Sequence, residues 1–499
     1  MKHPTLLKAV LPSRKNAVYI SRLALDHFRS WEHCVADFAP GVNILHGVNG
    51  LGKTNIVEAI EVLSTGSSHR TSSSLPLVER GAASATIRAN VSEADNRRIA
   101  AAEADGANLN GVDTGDSRID AAENGGAMRD GTGDGGRSRT LRTTTYEATI
   151  AARGANRARI NGGSSLYLRD IVGRIPSVSF TPEDQRLVTS DPAMRRRFLD
   201  QAGALLIPGY MNRLQTCTRI AKQRAALLKQ LERSEGDTNA ALSGLEIWTG
   251  QFIEAGIALT VDRNSIIDAL SEPFVAIYDR LAGDKPVDGS ERRSARQDEQ
   301  AQKMQPQSLQ TTQPVHAAHT ARIGYEPSFA EVFDGEDGDA AAAISRHFQR
   351  IYPGEVARGL NLIGPHRDDM ALELEGMPAR EFASNGEMWT MALALKMALF
   401  EVVVRTSGVT PIVILDDVFA QLDETRRRQI LAFATAQQQV FITVAARSDI
   451  PDLSGLEGVS GISVSTPHII DVAQLKDASY DGNDQLIAQL QAMRGGDRA

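Results

Sequence analysis

Alternating apolar and polar positions predict β-structure near the start of the chain. Residues 18–25 alternate like a strand, a second short strand follows, and the apolar run 42–45 predicts a buried third strand. Residues 56–60 then begin a helix. The pattern therefore predicts three strands, a loop and a helix, preceded by an extension over residues 1–17.

Helical spacing replaces this alternation in the middle of the chain. Apolar residues recur at intervals of three and four from Trp248 and Phe252 to Ile277, within a region that is helical in pattern from 195 to 278. The spacing predicts an inserted helical domain of modest size over 191–350, too short for long coiled-coil arms.

The last third of the chain returns to mixed sheet-and-helix patterning. Residues 387–404 predict a buried helix, and the continuously apolar run 410–415 is typical of a strand inside a parallel sheet. We therefore expect an α/β domain that is split between residues 18–190 and 351–499, with the helical domain between the two parts.

Composition adds two insertions and few constraints on chemistry. Segments at about 92–140 and 283–321 lack large apolar residues and are expected to be disordered or flexible. They contain much of the acidity behind the net charge of −8. Cys34 and Cys217 are far apart and indicate neither a disulfide framework nor a zinc site. No apolar run is long enough for a membrane span, so a cytoplasmic location without membrane contact is expected.

A phosphate-binding loop stands between the third predicted strand and the first helix. The spacing Gly-x-x-x-x-Gly-Lys-Thr is met by Gly47, Gly52, Lys53 and Thr54. Backbone amides and the helix N-terminus favour a polyphosphate, Lys53 reaches its terminal oxygens, and the Thr54 hydroxyl suits Mg²⁺. The predicted ATP contacts are Gly47, Val48, Asn49, Gly50, Leu51, Gly52, Lys53 and Thr54.

Three further residues are candidates for the same site. Asp416 and Asp417 end the apolar strand, where an α/β sheet places ligands; Asp416 would hold Mg²⁺ and Asp417 would orient or deprotonate the attacking water. Ser384 begins the 387–404 helix region. It is either an ordinary helix cap or a group that contacts a γ-phosphate.

These motifs together resemble the ABC-type ATPase heads of the SMC-like class, and more closely the RecF family of recombination-repair proteins. The combination of the Gly-Pro-His-Arg-Asp-Asp and Arg-Arg-Arg-Phe-Leu-Asp runs is more specific than the phosphate loop alone. The matching segments are Tyr19–Leu23, Phe28–Ser30, Gly47–Thr54, Phe180–Asp184, Arg195–Asp200, Gly364–Asp369 and Leu415–Asp423.

The resemblance implies a protein that dimerises on ATP, with both nucleotides at the interface. Ser384 and Gly386 of one subunit would contact the γ-phosphate held by Lys53 of the other, and Asp423 would be the interface aspartate. Such proteins bind duplex DNA, favour single/double-strand junctions at gaps, and with RecO and RecR help load RecA.

The chain also departs from the family pattern. Many ABC-type heads carry Glu at the position of Asp417, so slow, DNA-stimulated hydrolysis is expected. No clear lid glutamine occurs near Phe180–Asp184, and no histidine follows the strand at 440–444, where Thr443 is a candidate substitute.

The prediction of a DNA-binding surface rests on charge alone. Its basic residues either contact DNA phosphates or form an ordinary solvated face. His366 and Arg367 are alternatively structural, anchoring their turn against the acidic pair that follows. The alternative function is that of a scaffold protein that binds ATP as a structural ligand. A transporter motor is disfavoured because roughly 360 residues separate Lys53 from Asp416, whereas such motors keep the two motifs much closer. The candidate DNA contacts are Arg195, Arg196, Arg197, Arg219, Lys222 and Lys229.

Overall fold

The computed structural model describes residues 17–71, 73–94, 142–233, 239–283, 321–334, 339–453 and 467–476. The predicted extension before residue 17 lies outside them, as do positions 95–141 and 284–320 of the predicted insertions. The expected insertion at 92–140 begins too early, because Ser92–Ala94 still belong to a strand and pair with Ala17–Tyr19.

The strands and helices follow the predicted order. In chain order the strands are β1 (Ala17–Phe28), β2 (Trp31–Asp37), β3 (Gly41–His46), β4 (Ser84–Ala94), β5 (Arg142–Ala151), β6 (Arg157–Ile160), β7 (Leu166–Tyr167), β8 (Ser177–Phe180), β9 (Ala321–Glu326), β10 (Asp369–Leu374), β11 (Met377–Pro378), β12 (Ile412–Asp416), β13 (Gln439–Val444) and β14 (His468–Asp471). The helices are α1 (Lys53–Thr65), α2 (Arg186–Thr189), α3 (Pro192–Leu206), α4 (Tyr210–Arg233), α5 (Asn239–Gly283), α6 (Glu331–Asp334), α7 (Ala340–Arg358), α8 (Ala379–Phe382), α9 (Asn385–Ser407) and α10 (Glu424–Thr435).

A five-stranded parallel sheet positions the site. Its order is β14-β3-β13-β12-β8, so strands from both ends of the chain lie side by side. The registers Val444–His46 and Asp416–Thr443 bring the carboxyl ends of β3, β13 and β12 to one edge. Ligands bind at this edge in parallel α/β sheets.

An antiparallel sheet covers the other side of α1. Its six strands run in the order β2-β1-β4-β5-β6-β7. Ile56 and Ile60 of α1 share one buried cluster with Leu25 of β1, Ile414 of β12 and Phe441 of β13. Helix α1 is therefore held between the two sheets, which fixes the loop that precedes it.

The central region is helical, and α5 is a continuous helix of 45 residues. The predicted apolar stripe is buried at Phe252, Leu259, Leu270 and Phe274. Helix α5 packs on α4 and α9 and supports the small sheet β11-β10-β9. No helix in the described part of the chain is both long and apolar enough to span a membrane.

Candidate nucleotide-binding site

The phosphate loop owes its shape to glycine. Gly50 and Gly52 adopt φ values of 87° and 100°, in the left-handed region that other residues avoid. A Cβ on Gly52 would lie 2.6 Å from Nε1 of Trp31, whose indole donates to the Gly52 carbonyl at 3.1 Å. The loop is thus braced from β2, and α1 begins directly at Lys53.

Lys53 lies inside the loop. Its ammonium donates to the carbonyls of Gly47 at 2.5 Å and Val48 at 3.2 Å, and to Oδ1 of Asn49 at 3.4 Å. Burial lowers the Lys53 pKa, while the nearby carboxylates of Asp416 and Asp417 work against that shift. The cation is therefore held in a partly dehydrated position that favours an added anion.

The predicted metal ligands meet across the sheet edge. The Thr54 hydroxyl donates to Oδ1 of Asp416 at 3.1 Å, although 362 positions separate the two residues in the chain. Burial raises the Asp416 pKa, and hydrogen bonds from Thr443 and Thr54 offset part of the rise. A hydroxyl beside a buried carboxylate is a donor set that fits Mg²⁺, which would also favour the ionised acid.

Thr443 supports the acidic pair. Its hydroxyl donates to Asp416 at 2.6 Å and accepts from the backbone amide of Asp417 at 2.9 Å. Thr443 is 1 % exposed, so its contacts are with the acidic strand end. Its candidacy as a substitute for a switch histidine gains no support from these contacts.

Asp417 differs from its neighbour in both exposure and backbone conformation. Asp416 is 5 % exposed, whereas Asp417 is exposed and has a φ of 51°. A left-handed conformation costs energy at a residue other than glycine, and aspartate tolerates it better than most. The turn directs the chain away from the sheet directly after the buried acid.

The three predicted interface residues lie in one patch. Ser384 caps α9 through a reciprocal pair of hydrogen bonds with Glu387, and Asp423 caps α10. Arg426, which the sequence analysis missed, donates to the Gly386 carbonyl at 2.7 Å and forms an ion pair with Asp423. Arg426 therefore links the loop of Ser384 and Gly386 to Asp423 within one subunit.

A glutamine absent from the sequence analysis connects the sheet to this patch. Gln185 follows the Phe180–Asp184 segment by one residue, and its amide donates to Oδ1 of Asn385 at 3.0 Å. The expectation of no clear lid glutamine near Phe180–Asp184 overlooks this residue, which directly follows the segment. Asn385 is the first residue of α9, so the loop after β8 contacts the start of that helix.

His69 is a third residue that the sequence motifs do not indicate. Its Nδ1 lies 2.6 Å from Oε2 of the fully buried Glu61, which also accepts from Gln201 at 2.8 Å. Burial lowers the His69 pKa, but the charge and hydrogen bond of Glu61 together with the charges of Asp416 and Asp184 outweigh burial, so the net shift is upward. The neighbouring carboxylates thus favour the charged form of a histidine near the acidic strand end.

Comparison with known proteins identifies the family of this chain. The chain is 54 % identical over 486 residues to the DNA replication and repair protein RecF of Bifidobacterium adolescentis, covering 96 % of this chain and 97 % of that protein. It is 34 % identical to RecF of Pseudarthrobacter chlorophenolicus, covering 88 % and 96 %. The chain belongs to the RecF family. The AAA domain family also matches residues 22–235.

Solved structures agree on the fold. A structure described as the recombination mediator protein RecF with ATP in the RecFOR pathway superposes with a TM-score of 0.63. It is 22 % identical and covers 87 % of this chain and 94 % of its own. The predicted fold class, an ABC-type ATPase head with a split P-loop domain, is confirmed. Nucleotide binding is a property that this fold supports.

The two most specific RecF-family motifs, at residues 195–200 and 364–369, contact each other through ion pairs. Arg195 of the Arg-Arg-Arg-Phe-Leu-Asp run forms a two-pronged ion pair with Asp369 at 2.6 and 2.8 Å. Arg263 of α5 bridges Asp200 at 2.9 Å and Asp368 at 2.8 Å, joining the ends of both motifs. The motifs therefore hold α3, α5 and the 364–369 turn together.

This network corrects the predicted DNA surface. Arg195 is 6 % exposed and paired with Asp369, so the prediction that it contacts DNA is wrong. Arg196 is half-buried and donates to the Asp368 carbonyl, and Arg197 is half-buried and donates to the His69 carbonyl. The arginine run is chiefly internal.

The remaining basic candidates do share a surface. Arg219, Lys222 and Lys229 are all exposed on α4, and their spacing places them on one side of that helix. His366 and Arg367 brace their turn as the structural alternative proposed. Their side chains, however, contact the Asn361 carbonyl at 3.2 and 3.4 Å instead of the acidic pair.

Proposed function

We propose that this RecF-family chain is an ATP-dependent DNA-binding protein of recombinational repair and replication that dimerises when it binds ATP. One observation carries the proposal: Thr54 and Asp416, from opposite ends of the chain, lie 3.1 Å apart beside the Lys53 loop. That contact assembles a phosphate-binding loop and a metal-binding acid into one nucleotide site.

Each residue of the site has a distinct task in this proposal. The loop amides and Lys53 bind the phosphates, and Thr54 with Asp416 would hold Mg²⁺, which neutralises charge on the phosphates when bound. Asp417 orients the attacking water. Its shorter side chain and left-handed backbone support slow hydrolysis, in keeping with a protein whose main role is binding.

The patch of Ser384, Gly386 and Asp423 is the proposed dimer surface. Ser384 presents its hydroxyl at the N-terminus of a 23-residue helix, where free amides and the helix dipole favour a phosphate. In a dimer this end would face the γ-phosphate held by Lys53 of the other subunit. Arg426 joins Gly386 to Asp423 within one subunit before any partner binds.

Helix α4 supplies the proposed DNA contacts. Exposed Arg219, Lys222 and Lys229 would neutralise backbone phosphates without reading sequence, which suits recognition of a gap or a single/double-strand junction. RecO and RecR are the proposed partners on DNA, and RecA is the protein that they help to load. This part rests on family membership and on the RecFOR pathway named for the solved relative.

The dimer model is tested by Ser384→Ala, with Asp339→Ala as a matched control. Each change removes one helix cap and costs about 1 kcal/mol of stability, but Asp339 caps α7. We expect Ser384→Ala to bind ATP and remain a monomer in light scattering, while Asp339→Ala dimerises. A Ser384→Ala protein that dimerises like wild type would rule out the interface.

The effect of ATP on DNA binding is measured by fluorescence anisotropy with gapped and plain duplex DNA at one fixed salt concentration. ATP with Mg²⁺ should tighten binding in wild type and have no effect in Lys53→Ala. If nucleotide binds but leaves DNA affinity unchanged, the scaffold reading with ATP as a structural ligand is preferred.

A further inference from the structure

A cavity of about 450 Å³ lies away from the phosphate loop, among α3, α4, α5 and the turn at 361–366. Its inner wall is largely apolar and includes Leu214, Leu259 and Phe252. Polar groups that line it include Arg196 from α3 and Lys222 from α4. The volume is within the range of small-ligand pockets, and its walls belong to packed helices.

The charges around this cavity do not balance. Arg263 and Asp200 also line it; Arg263 pairs with Asp200 and, behind the cavity, with Asp368, so these three side chains together carry one excess negative charge. Arg196 and Lys222 have no carboxylate within ion-pair distance in the described part of the chain; Arg196 donates only to a carbonyl, that of Asp368. Arg196 and Lys222 are therefore two cations without an ion pair, and with the three paired side chains they leave one net positive charge at the cavity.

Arg196 is also held in an unfavourable position for a cation. Burial lowers its pKa, and the positive charge of Arg263 lowers it further against the pull of nearby acids. His366, another lining residue, has its pKa lowered by burial and by Arg367 and Arg196. An anion between Arg196 and Lys222 would relieve this repulsion.

We propose that the cavity is a second anion site that binds a phosphate group between Arg196 and Lys222. The apolar inner wall can accept the sugar or base attached to that phosphate. The same chemistry is found in a free nucleotide and in the backbone or end of a DNA strand. The site is separate from Lys53, so it does not depend on the ATP-driven dimer proposed above, but it shares Lys222 with the proposed DNA contacts of α4.

The test uses the full chain and the double substitution Arg196→Gln/Lys222→Gln. Its matched control is Arg346→Gln/Arg350→Gln, which removes two exposed charges from α7, away from the cavity lining. For free ligands, pyrophosphate and ADP are titrated calorimetrically into Lys53→Ala protein, with and without each of the two double substitutions. For DNA, gapped duplex is titrated by anisotropy at several salt concentrations.

Either of two results supports the site. Loss of pyrophosphate or ADP binding by about tenfold with the cavity pair, but not with the control pair, identifies a free nucleotide as the ligand. A similar loss of DNA affinity, with a reduced salt dependence and no pyrophosphate or ADP binding in any protein, identifies a DNA phosphate.

The proposed site is ruled out if the cavity pair and the control pair have equal effects on binding, or if neither pair changes binding in either titration. If the cavity pair unfolds, Lys222→Gln alone repeats the pyrophosphate and ADP titrations, because Lys222 is exposed on α4 and its loss leaves no buried partner. ATP-dependent dimerisation is measured on every variant. A cavity variant that still dimerises with ATP but loses phosphate binding shows that this site is separate from the nucleotide site. If the wild-type protein does not dimerise with ATP, only the proposed function is contradicted.

Discussion

The nucleotide site and the network around Asp368 are both clusters of acids and bases, but they are built for opposite purposes. In the network, Asp368 is fully buried and accepts from Arg263, from the hydroxyl of Tyr325 and from the amide of Ser328. In the nucleotide site, Lys53 donates to backbone carbonyls and an amide, and Asp417 is exposed. The buried acid of the network is paired with a cation, whereas Lys53 forms hydrogen bonds but no ion pair within the described residues.

The difference explains why the motifs with the greatest family specificity carry no nucleotide chemistry. A buried carboxylate needs all of its partners at once, so Asp368 and Asp369 specify Arg263 and Arg195 closely. A phosphate loop needs only glycines, one lysine and one hydroxyl, and it occurs in many folds. The network identifies the family because it holds the helices together; the loop identifies the chemistry.

The largest effect is expected from Arg263→Ala. Removing Arg263 leaves Asp368 without its buried cation, and breaking such a pair costs about 3–5 kcal/mol of unfolding free energy. Urea denaturation measures this. The control is Arg213→Ala, whose pair with Asp262 is partly exposed, and its cost should stay below about 1 kcal/mol. Equal costs for the two variants would show that burial of the Arg263 pair is not what matters.

Lys53→Ala should show the reverse pattern. ATP affinity is expected to fall by about 100-fold or more, because a desolvated cation contact worth at least 2–3 kcal/mol is lost. The free energy of unfolding without nucleotide should not fall, since burial lowers the Lys53 pKa and the charged form is disfavoured in the fold. Calorimetric ATP titration and urea denaturation test the two parts. A loss of stability as large as that of Arg263→Ala would erase the distinction between the clusters.

His69→Gln gives the smallest effect and concerns pH. The folded-state His69 pKa is raised above 6.5, so the stability it contributes is fully present below pH 6.5 and is lost as the pH rises through the folded value. The stability difference between wild type and His69→Gln should therefore be largest near pH 6 and shrink at higher pH. Urea denaturation from pH 6 to 9 measures it.

The control for this pH dependence is His347→Gln. His347 lies at the same 2.6 Å from its partner Glu331, but the pair is more exposed than the pair of His69 and Glu61. A His69→Gln curve parallel to wild type across the whole range would mean that the buried pair does not couple to protonation.

Periodicity and motif spacing predicted much of the fold. The order of three strands, a loop and a helix, the buried 412–416 strand and the apolar stripe of α5 are confirmed because each depends on local pattern. The insertion boundary at residue 92 was less accurate, because Ser92–Ala94 are polar or small and are kept in β4 by pairing with β1. Strand pairing is a long-range property that composition does not report.

Charge was the least reliable guide. The sequence placed Arg195, Arg196 and Arg197 together on a DNA surface, yet they point to three different partners, Asp369, Asp368 and His69. Consecutive residues on a helix are 100° apart, so one run cannot present a single face. The same geometry supports Arg219, Lys222 and Lys229, whose helical spacing leaves them on one exposed side.

By itself, the sequence determined the phosphate loop, the acidic strand end and membership in a split α/β fold, because glycine conformation, helix start and apolar strand are local requirements. Only the tertiary structure decided which charges are used internally. The contact between Thr54 and Asp416, the bridge of Arg426 and the pairing of the two family motifs all join segments that are distant in the chain. Whether a charged residue is buried with a partner or left for a ligand depends on such neighbours, and sequence spacing does not contain them.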